Sequence, residues 1–291
     1  MNDLRSADLR GREKSLSPRG NTGGEESARM DYTEQYEVWY RNPASASYWQ
    51  RRGFSKETVA HFRLGAIPDF CGMKNAPVIP TTPLAYMVRN PKRIPDKDDR
   101  RFFPQCLEYC KCFCEDHIRA GEPVFLCESE LDAVSLFEVG GLAAAMTATS
   151  MANAYYMRSG WTQSMRMFMS FRILEFFPVV RGRKPSLLLL AYDEDEAGDL
   201  LTDQTEMLAR QAGIPTFDAR EILFSHVPRK YLKDEQGEMM PRWNMDGTPR
   251  KNAKGELLSK AEKIDCNDAL LADRAAFAEN VKRVLAEAGM Q

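Results

Sequence analysis

The sequence predicts an α/β fold built on a parallel sheet with helices on both faces, and three observations carry that prediction. The apolar runs VFLC (124–127) and SLLLLAY (186–192) read as strands buried on both sides, because they do not alternate with polar residues. Each run leads into a helical pattern: ELDAVSLFEVGG, closed by glycines, follows the first, and residues 197–212, ending at Gly213, follow the second. Strands alternating with helices imply βαβ units, and in such sheets ligands bind beyond the carboxyl ends of the strands.

Taken in order, residues 1–34 are rich in Ser, Gly, Arg and Glu and almost free of aromatics, so they cannot bury enough apolar surface to offset chain entropy and read as disordered. Order is expected near Tyr36, where YEVWYRNPASASYWQRRGF brings aromatics at close intervals, with Tyr48 and Trp49 as core residues. Ser55 reads as the N-cap of a short helix. AYMVRN (85–90), set between prolines, reads as a strand leading toward DDRRFFPQCL. After the VFLC strand and its helix, LAAAMTATS (142–150) is a second short strand, and IPTFDA (214–219) resumes as strand after the long helix. Residues 226–262 break the rhythm. They are polar, carry the turn signals DEQGE and MDGTPRKNAKGE, and hold 8 Lys+Arg against 6 Asp+Glu, which predicts a surface excursion with no partner named by its charge. KIDCNDALLAD and an amphipathic helix from about Arg274 complete the chain. The resulting organisation is a disordered segment 1–34, an N-terminal unit 35–118, the parallel-sheet domain 119–225, an insertion 226–262 and a C-terminal completion 263–291.

Composition removes several classes. No apolar run approaches the roughly 20 residues of a membrane helix, and the charged start lacks the apolar stretch of a secretory signal, so a cytoplasmic protein without membrane contact is expected. With 40 Lys+Arg against 42 Asp+Glu, nucleic-acid binding by bulk positive charge is excluded, though a local patch is not. One such patch is 154–184, with five Arg and one Lys against a single Glu and interleaved aromatics; it reads either as a single-strand-binding face or as a packing helix with Arg tails in water. The seven cysteines are an odd count, which fits a reduced compartment. Cys106, Cys110, Cys112 and Cys114, with His117 behind them, are too tightly spaced for a zinc site and no second pair follows, so no zinc is expected. His61 and His226 receive no role.

Carboxylates recur at the strand ends: Glu128 with Asp132, then Asp193 and Asp195, then Asp265 and Asp268. Glu128 and Asp132 are four apart and share a helix face, and Asp193 and Asp195 flank one residue where a strand opens into a loop. Acids in these places commonly cap the next helix. Three such groups at successive ends of one sheet point instead to hard oxygen ligands for Mg²⁺ or Mn²⁺, the ions that support phosphoryl transfer.

PVFLCESELDAVSLFEVGG followed by LLLLAYDEDEAG resembles the TOPRIM domain of primases, topoisomerases and some nucleases, with Glu128 as its strand-end Glu and Asp193 and Asp195 as its Asp-x-Asp. YWQRRGFSKETVAHFRLGAIPD, VIPTTPLAYMVRN and KIDCNDALLAD narrow the resemblance to bacterial-type DNA primase catalytic cores, especially those of mobile elements and phages, over roughly residues 36–285. That resemblance implies a TOPRIM parallel sheet joined to a smaller N-terminal α+β subdomain, and synthesis of RNA primers from ribonucleoside triphosphates on a single-stranded DNA template. It makes Glu128, Asp193 and Asp195 catalytic and metal-binding, with Asp132, Asp265 and Asp268 supporting the metal site. Arg89, Arg100 and Arg101 would contact nucleic acid or nucleotide. Departures are visible: no zinc-binding module is read before residue 36, Ser129 follows Glu128 where Gly is usual, and Ile264 stands where Lys is usual, with Lys263 adjoining. A separate zinc module or a replicative helicase is the partner this implies. A TOPRIM nuclease and a non-catalytic nucleic-acid-binding or assembly module are the competing readings.

Overall fold

The computed structural model describes residues 31–70, 72–89, 102–106, 111–146, 173–244, 247–251 and 255–289. Residues 1–30, Arg100, Arg101, Cys110, the TATS end of the second short strand and the 154–172 part of the basic segment lie outside the described residues.

Helix α1 (Thr33–Tyr40) begins ahead of the expected onset of order. Tyr32 accounts for this, because its ring meets Tyr36, Trp39 and the strand residue Tyr86 at centroid distances of 4.9–6.5 Å. Helix α2 (Pro43–Arg51) starts with proline at its first position and Asn42 as cap, and α3 (Lys56–His61) is capped by Ser55, whose Oγ accepts from the Thr58 N–H. These helices pack on an antiparallel meander of β1 (Gly65–Phe70), β2 (Met73–Thr82), β3 (Ala85–Arg89) and β4 (Phe102–Cys106). Trp49 is fully buried between the helices and β1, and its indole N–H donates to the Gly65 carbonyl at 3.1 Å.

The second sheet is entirely parallel. It contains β5 (Pro123–Cys127), β6 (Ala143–Ala145), β7 (Leu187–Leu190) and β8 (Thr216–Asp218) in the order β6-β5-β7-β8. Helix α4 (Glu130–Glu138) joins β5 to β6. Residues 173–183 form α5, α6 (Glu196–Ala212) joins β7 to β8, and α7 (Arg220–Leu223), α8 (Cys266–Ala272) and α9 (Arg274–Gly289) follow. Successive side chains of a strand point to opposite faces. Accordingly Val124, Leu126, Leu188 and Leu190 pack with Phe176, Val180 and Leu201 of α5 and α6, while Phe125, Cys127 and Leu189 pack with Leu131, Leu270 and Phe277 of α4, α8 and α9. The unbroken apolar runs are thereby explained: both faces are covered, as the sequence predicts for a parallel sheet. The second of these cores continues into Trp49, Phe54, Leu64, Ile79 and Met87, so the antiparallel unit shares it.

After β5 the chain crosses to one side, and β7 lies on the other. The strand order therefore reverses between β5 and β7, which is where open α/β sheets place their sites.

The 226–262 excursion is a folded knob. Three turns tip at Gly237, Gly247 and Gly255, all at positive φ, and each tip follows the sequence pattern Asp/Asn-x-x-Gly. Two cyclic triangles of backbone hydrogen bonds tie the turns together: Leu232, Met240 and Lys260 form one, and Arg242, Arg250 and Leu258 the other, with N···O distances of 2.7–3.1 Å. Four of its eight basic residues reach acids at or just before the start of α6. Arg242 Nε donates to Asp199 at 2.8 Å, Arg250 pairs with Asp203 at 2.8 Å, Arg229 with Glu194 at 2.9 Å and Lys260 with Glu196 at 2.5 Å. Arg220 adds a second guanidinium to Asp199 at 2.8 Å, and both Asp199 and Arg242 are buried. Breaking a buried ion pair leaves an uncompensated charge. Arg242→Ala is accordingly expected to lower stability by about 3 kcal/mol in denaturant titration, whereas Lys230→Ala, whose pair with Glu262 is exposed, leaves it nearly unchanged.

Candidate functional site

Among the described residues, Asp132, Asp193 and Asp265 bring one carboxylate oxygen each to within 4.8 Å of one another, at the carboxyl edge of the parallel sheet beside the β5–β7 reversal. Each is delivered by a different element. Asp193 lies three residues beyond β7, Asp132 in the first turn of α4 after β5, and Asp265 at the N-cap of α8. Asp132 is fixed on both oxygens: Ser129 Oγ donates to Oδ2 at 2.5 Å and the Cys266 N–H donates to Oδ1 at 3.2 Å. Ser129, the departure from the usual Gly, thus gains a function as a clamp on Asp132.

Asp193 is 2% exposed, and its Oδ1 is buried without a hydrogen bond among the described residues. A buried carboxylate oxygen without a donor is costly, and it is the natural complement of a cation. Its other oxygen meets the Lys263 ammonium. The turn carrying Asp193 is very tight: a Cβ on Gly198 would lie 1.9 Å from the Asp193 carbonyl oxygen. Only glycine fits there, so the Gly of DEDEAG shapes the site although it carries no chemistry.

The remaining sequence candidates divide by geometry. Asp195 Oδ1 accepts from the Gly198 N–H at 2.9 Å and caps α6. Asp265 and Asp268 form a capping box on α8, with Asp265 Oδ1 accepting from the Asp268 N–H at 2.8 Å, so Asp265 both caps and joins the triad while Asp268 faces solvent. Glu128, one residue past β5, is half-buried and close enough for its charge to act on Asp193, Asp132 and Lys263. Arg89, the last residue of β3, is buried near Tyr48, Arg52, Asp132 and Asp265, and so faces the triad from the antiparallel sheet.

Two residues matter to which pattern reading gave no role. Asn267 of KIDCND donates from Nδ2 to the Arg52 carbonyl at 2.9 Å and to Ser135 Oγ at 3.2 Å, and accepts from Arg52 Nη1 at 3.2 Å. It thereby ties α8 to both α2 and α4. Lys263 is the other, and its signal was its place two residues before Asp265.

The electrostatics follow from burial among like charges. Burial, reinforced by Asp265 and Glu128 and opposed by Lys263 and Ser129, pushes the Asp132 carboxyl up to about 7. Burial, with Glu128, Asp132 and Asp265, pushes Asp193 well above the usual carboxylate range. Burial lowers the Arg89 guanidinium, while Asp132 and Asp265 work the other way. Burial also works against the Lys263 ammonium, but Asp193, Glu128 and Asp132 outweigh it and hold Lys263 charged.

No protein-family model matches the chain, and no curated protein sequence does. Solved structures give the likeness. The chain resembles bacterial-type DNA primase catalytic cores. A crystal structure of the Aquifex aeolicus primase, containing its zinc-binding and RNA polymerase domains, aligns over 87% of this chain and 59% of its own at 13% identity and a TM-score of 0.49. The DnaG catalytic core aligns over 60% of this chain and 65% of its own, at 14% identity and 0.41. The DnaG primase catalytic domain bound to single-stranded DNA aligns over 86% and 78%, at 13% and 0.43. The chain spans less than two thirds of the length of the first two. The roles of individual residues rest on the geometry above. Among the described residues, no helix is long and apolar enough to cross a membrane.

Two outcomes follow. With Asp132 folded near 7 and ordinarily near 3.8, the folded chain keeps a proton that the unfolded chain has released, so stability falls as pH rises from about 4 to 7. In chelator, Asp132→Asn is expected to raise stability relative to the unaltered chain by about 2 kcal/mol more at pH 8 than at pH 5, read by thermal melts. Gly198→Ala is expected to lose about 2–4 kcal/mol, because the backbone of Asp193 must move to admit one methyl group.

Proposed function

We propose that the chain is a primase-like nucleotidyltransferase that makes short RNA primers on single-stranded DNA by divalent-metal-dependent phosphoryl transfer. The observation that carries this reading is the triad itself: three carboxylates from three elements converge at the sheet's switch point, and the buried Asp193 Oδ1 accepts no hydrogen bond among the described residues. The donor set is all oxygen, which suits Mg²⁺ or Mn²⁺.

Asp193, Asp132 and Asp265 would hold the ion, with Glu128 and Asp195 at its border and Asp268 supporting Asp265. When bound, the ion supplies positive charge for the phosphoryl oxygens of the transition state. In the transfer, a ribose 3′-oxygen forms a bond to the α-phosphorus of an incoming ribonucleoside triphosphate, the bond from that phosphorus to the bridging oxygen breaks, and pyrophosphate leaves. Glu128 takes the hydroxyl proton. Arg89, with its guanidinium beside the acids, holds template or triphosphate in place, a role also proposed for Arg100 and Arg101. The cytoplasm is the proposed compartment, and a replicative helicase or a separate zinc-binding module the proposed protein partner.

One observation favours a second reading. Lys263 already neutralises part of the acidic centre, as would suit a non-catalytic module that binds nucleic acid without metal.

The experiment is incubation with single-stranded DNA, labelled ribonucleotides and Mg²⁺ or Mn²⁺, beside an Asp193→Ala, Asp195→Ala double variant. Short RNA from the unaltered chain, reduced at least a hundredfold in the double variant, is expected. DNA cleavage that the double variant abolishes identifies a nuclease, and intact DNA without product points to a core that needs a partner or is inactive.

A further inference from the structure

We propose that Lys263 is a displaceable counter-ion: its ammonium occupies the position a divalent cation takes in the acidic centre, and the ion binds by exchange with it. This inference rests on the metal-site reading above and adds how that site is kept stable when empty.

The geometry is specific. The Lys263 ammonium contacts Asp193 Oδ2, the same carboxylate whose Oδ1 is buried without a hydrogen bond. The lysine is held within reach on both sides. The Glu194 N–H donates to the Ile264 carbonyl at 2.8 Å, Ile264 is buried, and upstream Lys260 pairs with Glu196. The end of the knob therefore delivers Lys263 to the acids, and its backbone is tied to Glu194 there. Its side chain can. Half of it is exposed, and a four-carbon stem lets the head group reach water while the backbone stays fixed.

The charges make the exchange necessary. Glu128, Asp132, Asp193 and Asp265 meet Arg89 and Lys263, with Asp268 and Arg52 at the border, so among these groups five carboxylates meet three cations. Arg89 is buried on β3 and contributes in either state. A divalent ion entering with Lys263 still in place would face its charge at close range, and an ion entering as Lys263 leaves does not.

The test is Mn²⁺ binding to the full chain by titration calorimetry, with thermal melts in chelator and at saturating Mn²⁺. Lys263→Gln removes the competitor and is expected to bind Mn²⁺ about tenfold tighter than the unaltered chain. It is also expected to melt lower in chelator, with the gap closing in Mn²⁺. Lys263→Arg keeps the cation and is expected to bind no tighter than the unaltered chain. Lys263→Gln affinity equal to or weaker than that of the unaltered chain overturns the proposal. Asp193→Asn separates the two levels. If it abolishes Mn²⁺ binding while Lys263→Gln leaves affinity unchanged, the metal site stands and the exchange falls. If neither the unaltered chain nor Lys263→Gln binds Mn²⁺, both fall.

Discussion

Carboxylates gathered at one sheet edge repel one another and lose solvation, and much of the structure around this edge answers that cost. The answer takes two forms. The outer acids, Glu194, Glu196, Asp199 and Asp203, are paired with arginines and a lysine of the knob. The inner acids receive less: Lys263 reaches Asp193, Arg89 lies beside Asp132 and Asp265, and Asp193 Oδ1 accepts no hydrogen bond among the described residues. Among the described residues, the paired acids lie along the first turns of α6, and the triad at the β5–β7 reversal is left under-neutralised.

The knob and the antiparallel unit thus serve one centre from opposite sides. The knob anchors on α6 and ends by presenting Lys263. The antiparallel unit ends β3 at Arg89 and is fastened through Arg52 to Asn267 on α8, the helix that carries Asp265. Glu138 reinforces the same junction, accepting from the Ser55 N–H at 2.9 Å, while Arg274 pairs with it from α9. A displacement of α8 would move Asp265 and break the Asn267 bonds together, so the placement of the triad and the docking of the two sheets are coupled.

Much of this was legible in the sequence. Apolar runs without alternation specified strands covered on both faces, and the alternation of those strands with helices specified a parallel sheet whose carboxyl edge would hold the acids. The cap at Ser55 was legible too, since capping depends on neighbours two or three residues away, whereas at Asp195 and Asp265 the sequence pointed to metal ligation and the structure shows helix caps. The knob was harder. Its three Asp/Asn-x-x-Gly tips are a short repeat in plain view, but its closure depends on hydrogen bonds between turns 8 to 28 residues apart, and its balanced charge concealed that four of its basic residues pair with acids beside α6. Gly198 and Ser129 were opaque as well, because their importance lies in a clash avoided and a hydroxyl aimed, which no local pattern records.

The acids themselves show why residue type alone could not separate capping from chemistry. Asp193 and Asp195 stand two apart in DEDEAG, yet Asp195 Oδ1 accepts from the Gly198 N–H while Asp193 is turned into the sheet edge. What distinguishes them is whether a backbone donor lies within reach. At Asp195 the first turn of α6 supplies one; at Asp193 none reaches Oδ1 among the described residues. A buried acid oxygen without a donor calls for a cation, and among the described residues the one that reaches Asp193 is a lysine that the same fold delivers on a flexible stem.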